Sequence, residues 1–435
     1  MSEAVVGTKT VAEINERLRR GEAVVLTAHE LKEEVRRGRR FEVEDVDVVT
    51  TGSRGPMSGT AAALSFPLSG WRGSGGRLRV WMNGVPAFPG PATSEGEDTL
   101  DVVVYGTAAS RYEPRRYGGG HLFRELVEGK PIHVEITAAG HPAIRRTVTI
   151  HDFNFARLYS VRNAFRNYTA FANFRGTRPL ETIFGFRPMG PETGITVVGS
   201  GETNPLQNDP ELRVIRLGTR ILVNGAPGIV VGAGTRSSPA RPNLSLVADM
   251  VGMDPEYMGG FMTDAGVEVL NAIAVPIPIL DEATLRGVLE ARDETIRLPV
   301  ADVSDRLPFT ETTYAEVWRG PDLQVRYDPA KCVTCSFACV AEHYCPVGAI
   351  VWSDKRHDDA LCLACGACTV NCVGGAFTAE LGQLTVDGRK VPITFRQSDR
   401  RRAMKIADLL RDRMRRGEFL LGDLGDRIEH RLPGP

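Results

Sequence analysis

Apolar and polar residues alternate along this chain in many short runs, separated by stretches that are rich in glycine and proline. The runs predict strands at residues 23–26, 46–50, 78–82, 100–105, 132–137, 146–150, 213–223 and 229–231. Turn residues predict two hairpins, one around Gly140-His141-Pro142 and one through Asn224-Gly225. Helical spacing predicts a helix over 282–292, with Asp281 as its N-cap, and a basic amphipathic docking helix within 397–427. The pattern predicts a mixed α/β fold for a large N-terminal region.

Length and charge narrow the class of protein. The chain has 435 residues, enough for two or three domains, and its formal net charge is −1. A net charge this close to zero gives no overall electrostatic field that would attract nucleic acid. The polar start shows no signal-peptide pattern, and the apolar stretches near 229–231 and 272–280 are short and broken by glycine or proline. We therefore expect a cytoplasmic protein without a membrane span.

All eight cysteines lie between positions 332 and 372, in two runs spaced C-x2-C-x3-C-x5-C-P and C-x2-C-x2-C-x3-C. In the bacterial ferredoxin arrangement, three close cysteines hold one cubane and the distant fourth cysteine ligates the other. We expect one 4Fe–4S cluster on a first cysteine set, Cys332, Cys335, Cys339 and Cys372. We expect a second 4Fe–4S cluster on a second cysteine set, Cys345, Cys362, Cys365 and Cys368.

Alternative uses of these cysteines fit the spacing less well. A four-coordinate zinc site has no use for a third cysteine in each run, and disulfides between such close cysteines would close strained loops. Two departures from the standard pattern stand out: three residues separate Cys335 from Cys339, and Val373 replaces the usual proline after the last cysteine. The predicted domains are a large N-terminal domain at 1–322, a small α+β ferredoxin-type domain at 323–382 and a C-terminal extension at 383–435.

Several motifs of the N-terminal region resemble the homocysteine-biosynthesis family. They include Asp47-Val48-Val49-Thr50-Thr51-Gly52 and Tyr117-Gly118-Gly119-Gly120-His121, with further motifs at 9–15, 80–87, 217–221 and 275–280. The characterised role of that family is L-aspartate-semialdehyde sulfurtransferase. The ferredoxin-like segment and the ending at 391–400 are most similar to the methanogenesis marker 16 metalloprotein branch. The resemblance implies sulfur insertion into a small anionic aldehyde, with sulfoacetaldehyde to coenzyme M favoured and aspartate semialdehyde to homocysteine as the other candidate.

The candidate catalytic residues are Arg54, Ser58 and His121. Arg54 and Ser58 belong to a glycine-rich stretch at 52–60, which could bind an anion through its backbone N–H groups or could serve as a plain connecting turn. His121 could exchange protons near neutral pH or could cap the helix that follows it. Family members carry a cysteine in the glycine-rich stretch, whereas this chain has none there, so a persulfide on this stretch is excluded.

The electron count connects the two parts of the chain. Making a thiol from an aldehyde and sulfide consumes two electrons, which two one-electron clusters can supply from an external low-potential donor. The alternative hypothesis is that the chain is an electron-transfer or sulfur-delivery subunit that acts with a separate catalytic partner. A homo-oligomer is compatible with both hypotheses, the enzyme and the delivery subunit.

Overall fold

The computed structural model describes residues 9–67, 78–90, 99–166, 168–318, 320, 323–386 and 388–430. It shows a mixed α/β protein with two large sheets, which confirms the predicted class for the body of the chain. Among these residues, no helix combines the length and the apolar character that crossing a membrane requires.

The strands in chain order are β1 Val25–Thr27, β2 Val48–Pro56, β3 Thr60–Pro67, β4 Arg79–Met82, β5 Val85–Pro89, β6 Thr99–Tyr105, β7 Ile132–Thr137, β8 Ile144–Val148, β9 Phe155–Asn163, β10 Ala170–Ala172, β11 Ile195–Val197, β12 Arg220–Val223, β13 Ala226–Ala233, β14 Leu244–Asp249, β15 Gly259–Thr263, β16 Gly266–Pro278, β17 Arg297–Asp302, β18 Pro308–Thr313, β19 Arg326–Tyr327, β20 Ile350–Val351, β21 Arg356–His357, β22 Phe377–Thr378, β23 Gln383–Val386 and β24 Arg389–Arg396. The α-helices are α1 Val11–Arg20, α2 Ala28–Arg36, α3 Gly119–Val127, α4 Pro205–Asn208, α5 Glu282–Glu290, α6 Tyr314–Trp318, α7 Val340–His343, α8 Ala367–Asn371 and α9 Arg400–Arg415. Short 3-10 turns lie at Val43–Asp45, Ile150–Asp152, Gly201–Thr203, Pro255–Tyr257 and Pro329–Lys331.

The main sheet follows the order β1-β2-β16-β12-β13-β14-β9-β3-β6-β5-β4-β7-β8, and β15 pairs with β16 outside this path. Near one end of this order, β2 and β16 form an antiparallel pair, in register from Val48 opposite Pro278 to Pro56 opposite Leu270. Almost every residue of β16 is buried, which suits a strand covered on both faces.

The second sheet has the order β18-β17-β10-β11-β24-β23. Its last two strands come from the C-terminal part of the chain, and β24 pairs with β11 in parallel. The segment after position 382 therefore forms part of the second sheet. Strands of the predicted C-terminal extension thus share one sheet with strands of the predicted N-terminal domain.

Helix α9 lies across β2 and β16 of the main sheet. Its buried side chains Ile406, Leu410 and Met414 pack in one apolar cluster with Val48 and Ala272. Glycine at position 52 permits this contact, because a Cβ atom there would come within 2.0 Å of the Ala403 carbonyl oxygen. Residues 52–56 consequently extend strand β2, and only the short connection between β2 and β3 remains a turn. The predicted glycine-rich turn is wrong over 52–56, since this stretch is strand and Gly52 lies in close contact with α9.

The cysteine segment forms two small antiparallel pairs, β19 with β22 and β20 with β21, together with helices α7 and α8. Its apolar side packs on Phe261, Leu270 and Phe395, which belong to β15, β16 and β24. The ferredoxin-type interpretation of this segment stays a prediction.

Most of the predicted elements are present. The hairpins β7–β8 and β12–β13 are confirmed, and Asp281 caps α5 by accepting a hydrogen bond from the Thr284 N–H at 2.7 Å. The run at 213–223 forms a strand only from Arg220, because three backbone N–H groups at 213–215 bond instead to the Asp209 carboxylate. The predicted C-terminal helix is shorter than its window and begins after Asp399, whose side chain accepts from the Arg402 N–H.

Candidate functional site

A cavity of about 290 Å³ lies between the main sheet and the second sheet. The main sheet contributes Ser58, in the turn between β2 and β3, and Glu268 on β16. Phe171 on β10 and Phe184 in the connection between β10 and β11 contribute aromatic side chains, and Gln397 lines the cavity between β24 and α9. The aromatic lining gives the cavity an apolar wall on one side, whereas the other side is strongly polar.

Four arginines line this cavity: Arg162, Arg236, Arg241 and Arg306. Arg162 is half-buried on β9, and its Nε atom donates to the Thr235 hydroxyl at 3.2 Å. Burial, and after it the charge of Arg236, lower the pKa of Arg162. Arg306 lies over the Phe184 ring at 4.9 Å, and that ring stacks on Phe171. The converging cations suit an anionic ligand, because guanidinium groups match carboxylate and sulfonate oxygens through paired N–H donors.

Glu268 provides the carboxylate of the cavity. Its side chain is 8% exposed, and its Oε2 atom has no hydrogen-bond partner among the described residues. Burial raises the pKa of Glu268, while the Ser58 hydroxyl donates to the carboxylate and lowers it less. A carboxyl group in this state can hold a proton closer to neutral pH than an exposed glutamate can, which suits a general acid.

The structure places predicted residue Ser58 in this cavity and the other two elsewhere. Arg54 is 2% exposed, and its Nη1 atom donates to Asp399 Oδ2 at 2.7 Å. Burial lowers the pKa of Arg54 to about 10, although Asp399 opposes the shift. Arg402 Nη1 donates to the same Asp399 oxygen at 2.7 Å and to the Cys362 carbonyl at 2.7 Å. Arg54 thus joins strand β2 to α9 and, through them, to the cysteine segment.

His121 caps the start of α3. Its Nδ1 atom accepts from the Gly118 N–H at 3.2 Å, and its ring lies where a side chain on residue 260 would be. Burial lowers the pKa of His121 to about 4, so the imidazole is neutral near pH 7. The glycines before it permit close packing, since a Cβ on Gly119 would be 2.2 Å from the Tyr105 carbonyl oxygen. A proton-transfer role for His121 stays a prediction, and its observed contacts are those of a helix cap.

The two predicted cysteine sets are also grouped in space. The first set lines a small hollow, with Tyr327 and Phe377 beside it. In the second set, Cys345 interacts electrostatically with Cys362, Cys365 and Cys368, and burial with these neighbours raises the pKa of each thiol. All eight cysteines are free thiols.

The donor set fits iron–sulfur clusters. Backbone N–H groups point at sulfur in both sets, as the Ala349 N–H does to Cys345 Sγ at 3.2 Å and the Ala376 N–H to Cys372 Sγ at 3.3 Å. N–H donation to sulfur stabilises the thiolate form that iron requires. Within the described part of the chain, no three His, Cys, Asp or Glu side chains are close enough to hold one metal ion. The thiolates of a cubane bind separate iron atoms, and the two clusters stay a prediction.

Sequence reasoning missed Glu268 and the four cavity arginines. They come from separate loops and strands, and no spacing motif connects them. One usable signal was the single carboxylate at 268 within the long apolar run of β16. A second was the glycine-rich segment at 232–235, which comes directly before Arg236.

Relatives of this chain lie among archaeal proteins. An uncharacterized protein of Methanothermobacter thermautotrophicus is 42% identical over 95% of this chain and 94% of its own length. An uncharacterized protein of Methanocaldococcus jannaschii is 35% identical over 92% of this chain and 99% of its own length. A Methanocaldococcus jannaschii protein named L-aspartate semialdehyde sulfurtransferase is 33% identical, and the match covers 70% of this chain and 62% of that protein. No solved structure matches the chain.

The family model described as homocysteine biosynthesis enzyme, sulfur-incorporation matches residues 23–421, a range that includes the cavity, the cysteine segment and α9. The chain therefore belongs to the homocysteine biosynthesis, sulfur-incorporation family.

Proposed function

We propose that this protein reductively converts a small anionic aldehyde and sulfide into a thiol at the arginine-lined cavity. The observation that carries the proposal is the convergence of four arginines on Ser58 and the buried Glu268. Relatives named L-aspartate semialdehyde sulfurtransferase support the reaction class, sulfur transfer to an aldehyde.

The charge of the cavity favours sulfoacetaldehyde over aspartate semialdehyde. Sulfoacetaldehyde carries one sulfonate and no cation, whereas aspartate semialdehyde also carries an ammonium group that needs an acceptor. Glu268 is the one carboxylate among the described lining residues, and its raised pKa weakens it as a partner for ammonium. An ammonium group among four guanidinium groups would be repelled, because like charges in a partly buried site are poorly screened.

The cavity residues have distinct roles in the proposed reaction. Arginines bind the sulfonate and raise the local concentration of hydrosulfide, which is also an anion. Sulfur adds to the aldehyde carbon to give a thiohemiacetal, and Glu268 donates its proton to the hydroxyl group that leaves as water. Ser58 holds Glu268 by hydrogen bonding to it. The balanced reaction is R-CHO + HS⁻ + 3H⁺ + 2e⁻ → R-CH2-SH + H2O.

Two 4Fe–4S clusters on the two cysteine sets would supply these electrons one at a time. Two consecutive residues connect the second set to the cavity. The Arg396 N–H donates to the Cys365 carbonyl at 2.9 Å, and the next residue, Gln397, lines the cavity. Free thiols and oxygen-sensitive clusters suit a reducing compartment, so we place the reaction in the cytoplasm.

The test is thiol formation by anaerobically purified protein with sulfide, a low-potential reductant and either aldehyde. We expect coenzyme M from sulfoacetaldehyde, in an amount that depends on both sulfide and reductant. Homocysteine formed in preference would overturn the charge argument. No thiol from either aldehyde, with both clusters intact, would favour the rival function of a subunit that delivers electrons or sulfur to a separate enzyme.

A further inference from the structure

Four exposed apolar side chains adjoin the first cysteine set: three valines line its hollow, and Phe337 lies in the chain between Cys335 and Cys339. Phe337 is 98% exposed, Val373 78%, Val333 61% and Val340 38%. Single exposed apolar residues are common, but a group of them around one set of potential ligands marks an interaction surface. We name these four residues the apolar patch.

The apolar patch and the first cysteine set share one surface. Val333 follows Cys332, Val340 follows Cys339 and Val373 follows Cys372. All three valines line the same hollow as the four cysteines of the first set. A protein seated on the patch would lie directly over these sulfur atoms.

Both departures from the standard ferredoxin spacing lie in this patch. Phe337 is the middle residue of the three that separate Cys335 from Cys339, and Val373 stands where a proline usually follows the last cysteine. The enlarged spacing therefore supplies the most exposed aromatic side chain of the described segments. This coincidence of two sequence changes on one surface is a second observation, independent of the exposure.

The second cysteine set is less exposed than the first, although its member Cys345 is partly exposed. Cys362, Cys365 and Cys368 are 6–8% exposed and are packed among Phe261, Phe395 and other apolar residues. The first set, in which all four cysteines are partly exposed, is therefore the more accessible entry for electrons from a protein donor. The first set lines the hollow beside the patch valines, and the second set is joined to the cavity through Arg396 and Gln397.

The charges that line the hollow beside the patch favour an acidic partner. Its lining includes the cations Lys355 and Arg356 and, among the described residues, no carboxylate. Arg356 pairs with Asp358 at 3.2 Å, and Lys355 has no ion-pair partner in the described part of the chain. An apolar centre with cations beside it suits a small protein whose contact surface combines apolar and acidic residues.

We propose that the apolar patch docks an acidic, low-potential one-electron carrier protein, which delivers the two electrons of the reaction singly to the first cysteine set. The carrier is oxidised twice for each aldehyde reduced, and the three protons come from solvent and from the cavity. This proposal rests on the proposed function, because it requires clusters on both sets.

The test compares Phe337→Asp with wild type after anaerobic reconstitution of both proteins to equal iron content. Stopped-flow absorbance follows reduction of the clusters by a reduced acidic ferredoxin and, separately, by dithionite. We expect reduction by ferredoxin to slow at least about tenfold in the variant, with the dithionite rate unchanged. Phe88→Asp is the matched control, since Phe88 is 51% exposed on β5, away from the cysteine segment, and should leave both rates unchanged.

The outcomes are distinguishable. An unchanged ferredoxin rate in Phe337→Asp overturns the docking proposal alone. A wild-type dimer in sedimentation velocity that Phe337→Asp dissociates would assign the patch to contact between copies of the chain and overturn it as well. Failure of wild type to hold about eight iron atoms overturns both this proposal and the proposed function.

Discussion

Replacing Asp399 should uncouple three parts of the molecule at once. One oxygen of its carboxylate accepts hydrogen bonds from both Arg54 and Arg402 at 2.7 Å, and the other oxygen caps α9 through the Arg402 N–H at 3.0 Å. All three side chains are only 2–3% exposed. Without the carboxylate, two buried guanidinium groups would face one another with no counter-charge.

The magnitude follows from these contacts. Removing one partner of a buried ion pair costs about 3–5 kcal/mol, since the remaining charge is left without compensation. Losing the cap adds about 1 kcal/mol. We expect Asp399→Asn, which keeps a side-chain oxygen for the cap, to lose about 3–5 kcal/mol of unfolding free energy. Asp399→Ala should lose about 1 kcal/mol more.

The assay is equilibrium unfolding in urea, followed by tryptophan fluorescence under anaerobic conditions. With a slope of about 3 kcal/mol/M, the midpoint should fall by about 1 M or more. Asp254→Ala is the control, because exposed Asp254 accepts a capping bond from the Glu256 N–H and has no cation partner among the described residues. If Asp399→Asn unfolds within about 0.5 kcal/mol of wild type, the triad does not carry the stability assigned to it.

Four further predictions address the site and the cysteine sets. Glu268→Gln should lower kcat by about 10²–10⁴ and abolish the loss of activity that wild type shows as pH rises through the raised pKa of Glu268; an unchanged pH profile would refute the general-acid role. Arg162→Gln should raise KM for sulfoacetaldehyde by about tenfold, from the loss of one charge-assisted contact, with little change in kcat; an unchanged KM would remove Arg162 from substrate binding. His121→Asn should keep most of the activity, and its stability should fall less than that of wild type between about pH 6.5 and 4. A folded but inactive variant would instead support a catalytic role for His121. Cys345→Ala should remove the cluster held with the second run and leave the other visible by EPR, whereas Cys372→Ala should do the reverse; loss of the opposite cluster would refute the crossed ligation.

The sign of the His121 prediction follows from its lowered pKa. The unfolded chain binds a proton at this histidine near pH 6.5, whereas the folded chain binds it only near pH 4. Stability from this group is therefore fully present above about pH 6.5 and is lost as pH falls toward 4. The shift sets an upper limit of about 3–4 kcal/mol, at roughly 1.4 kcal/mol for each pH unit.

The sequence predicted local features well. Period-two apolar runs marked strands such as β6 and β7, and Asn224-Gly225 marked the turn of the β12–β13 hairpin. The helix α5 and its cap at Asp281 were also predicted, since capping depends on neighbouring residues alone. The cysteine spacing predicted which thiols lie near one another in space.

Long-range packing accounts for the errors. Glycines at 52 and 55 indicated a turn, because sequence alone does not show that a segment about 350 residues later packs against them, α9 on Gly52 and residues 397–398 on Gly55. Arg54 suggested an anion site for the same reason, since its partner Asp399 lies at the other end of the chain. The cavity gathers Glu268 and arginines from three separate segments, and no local pattern predicts that convergence.

The most direct test of the central claim is a competition assay with sulfide, a low-potential reductant and equal amounts of the two aldehydes. The assay measures coenzyme M and homocysteine formed by wild type and by Glu268→Gln. A four-arginine cavity with Glu268 as its general acid predicts coenzyme M in large excess from wild type and little thiol from the variant. Homocysteine in excess, or equal turnover by Glu268→Gln, would contradict the site described here.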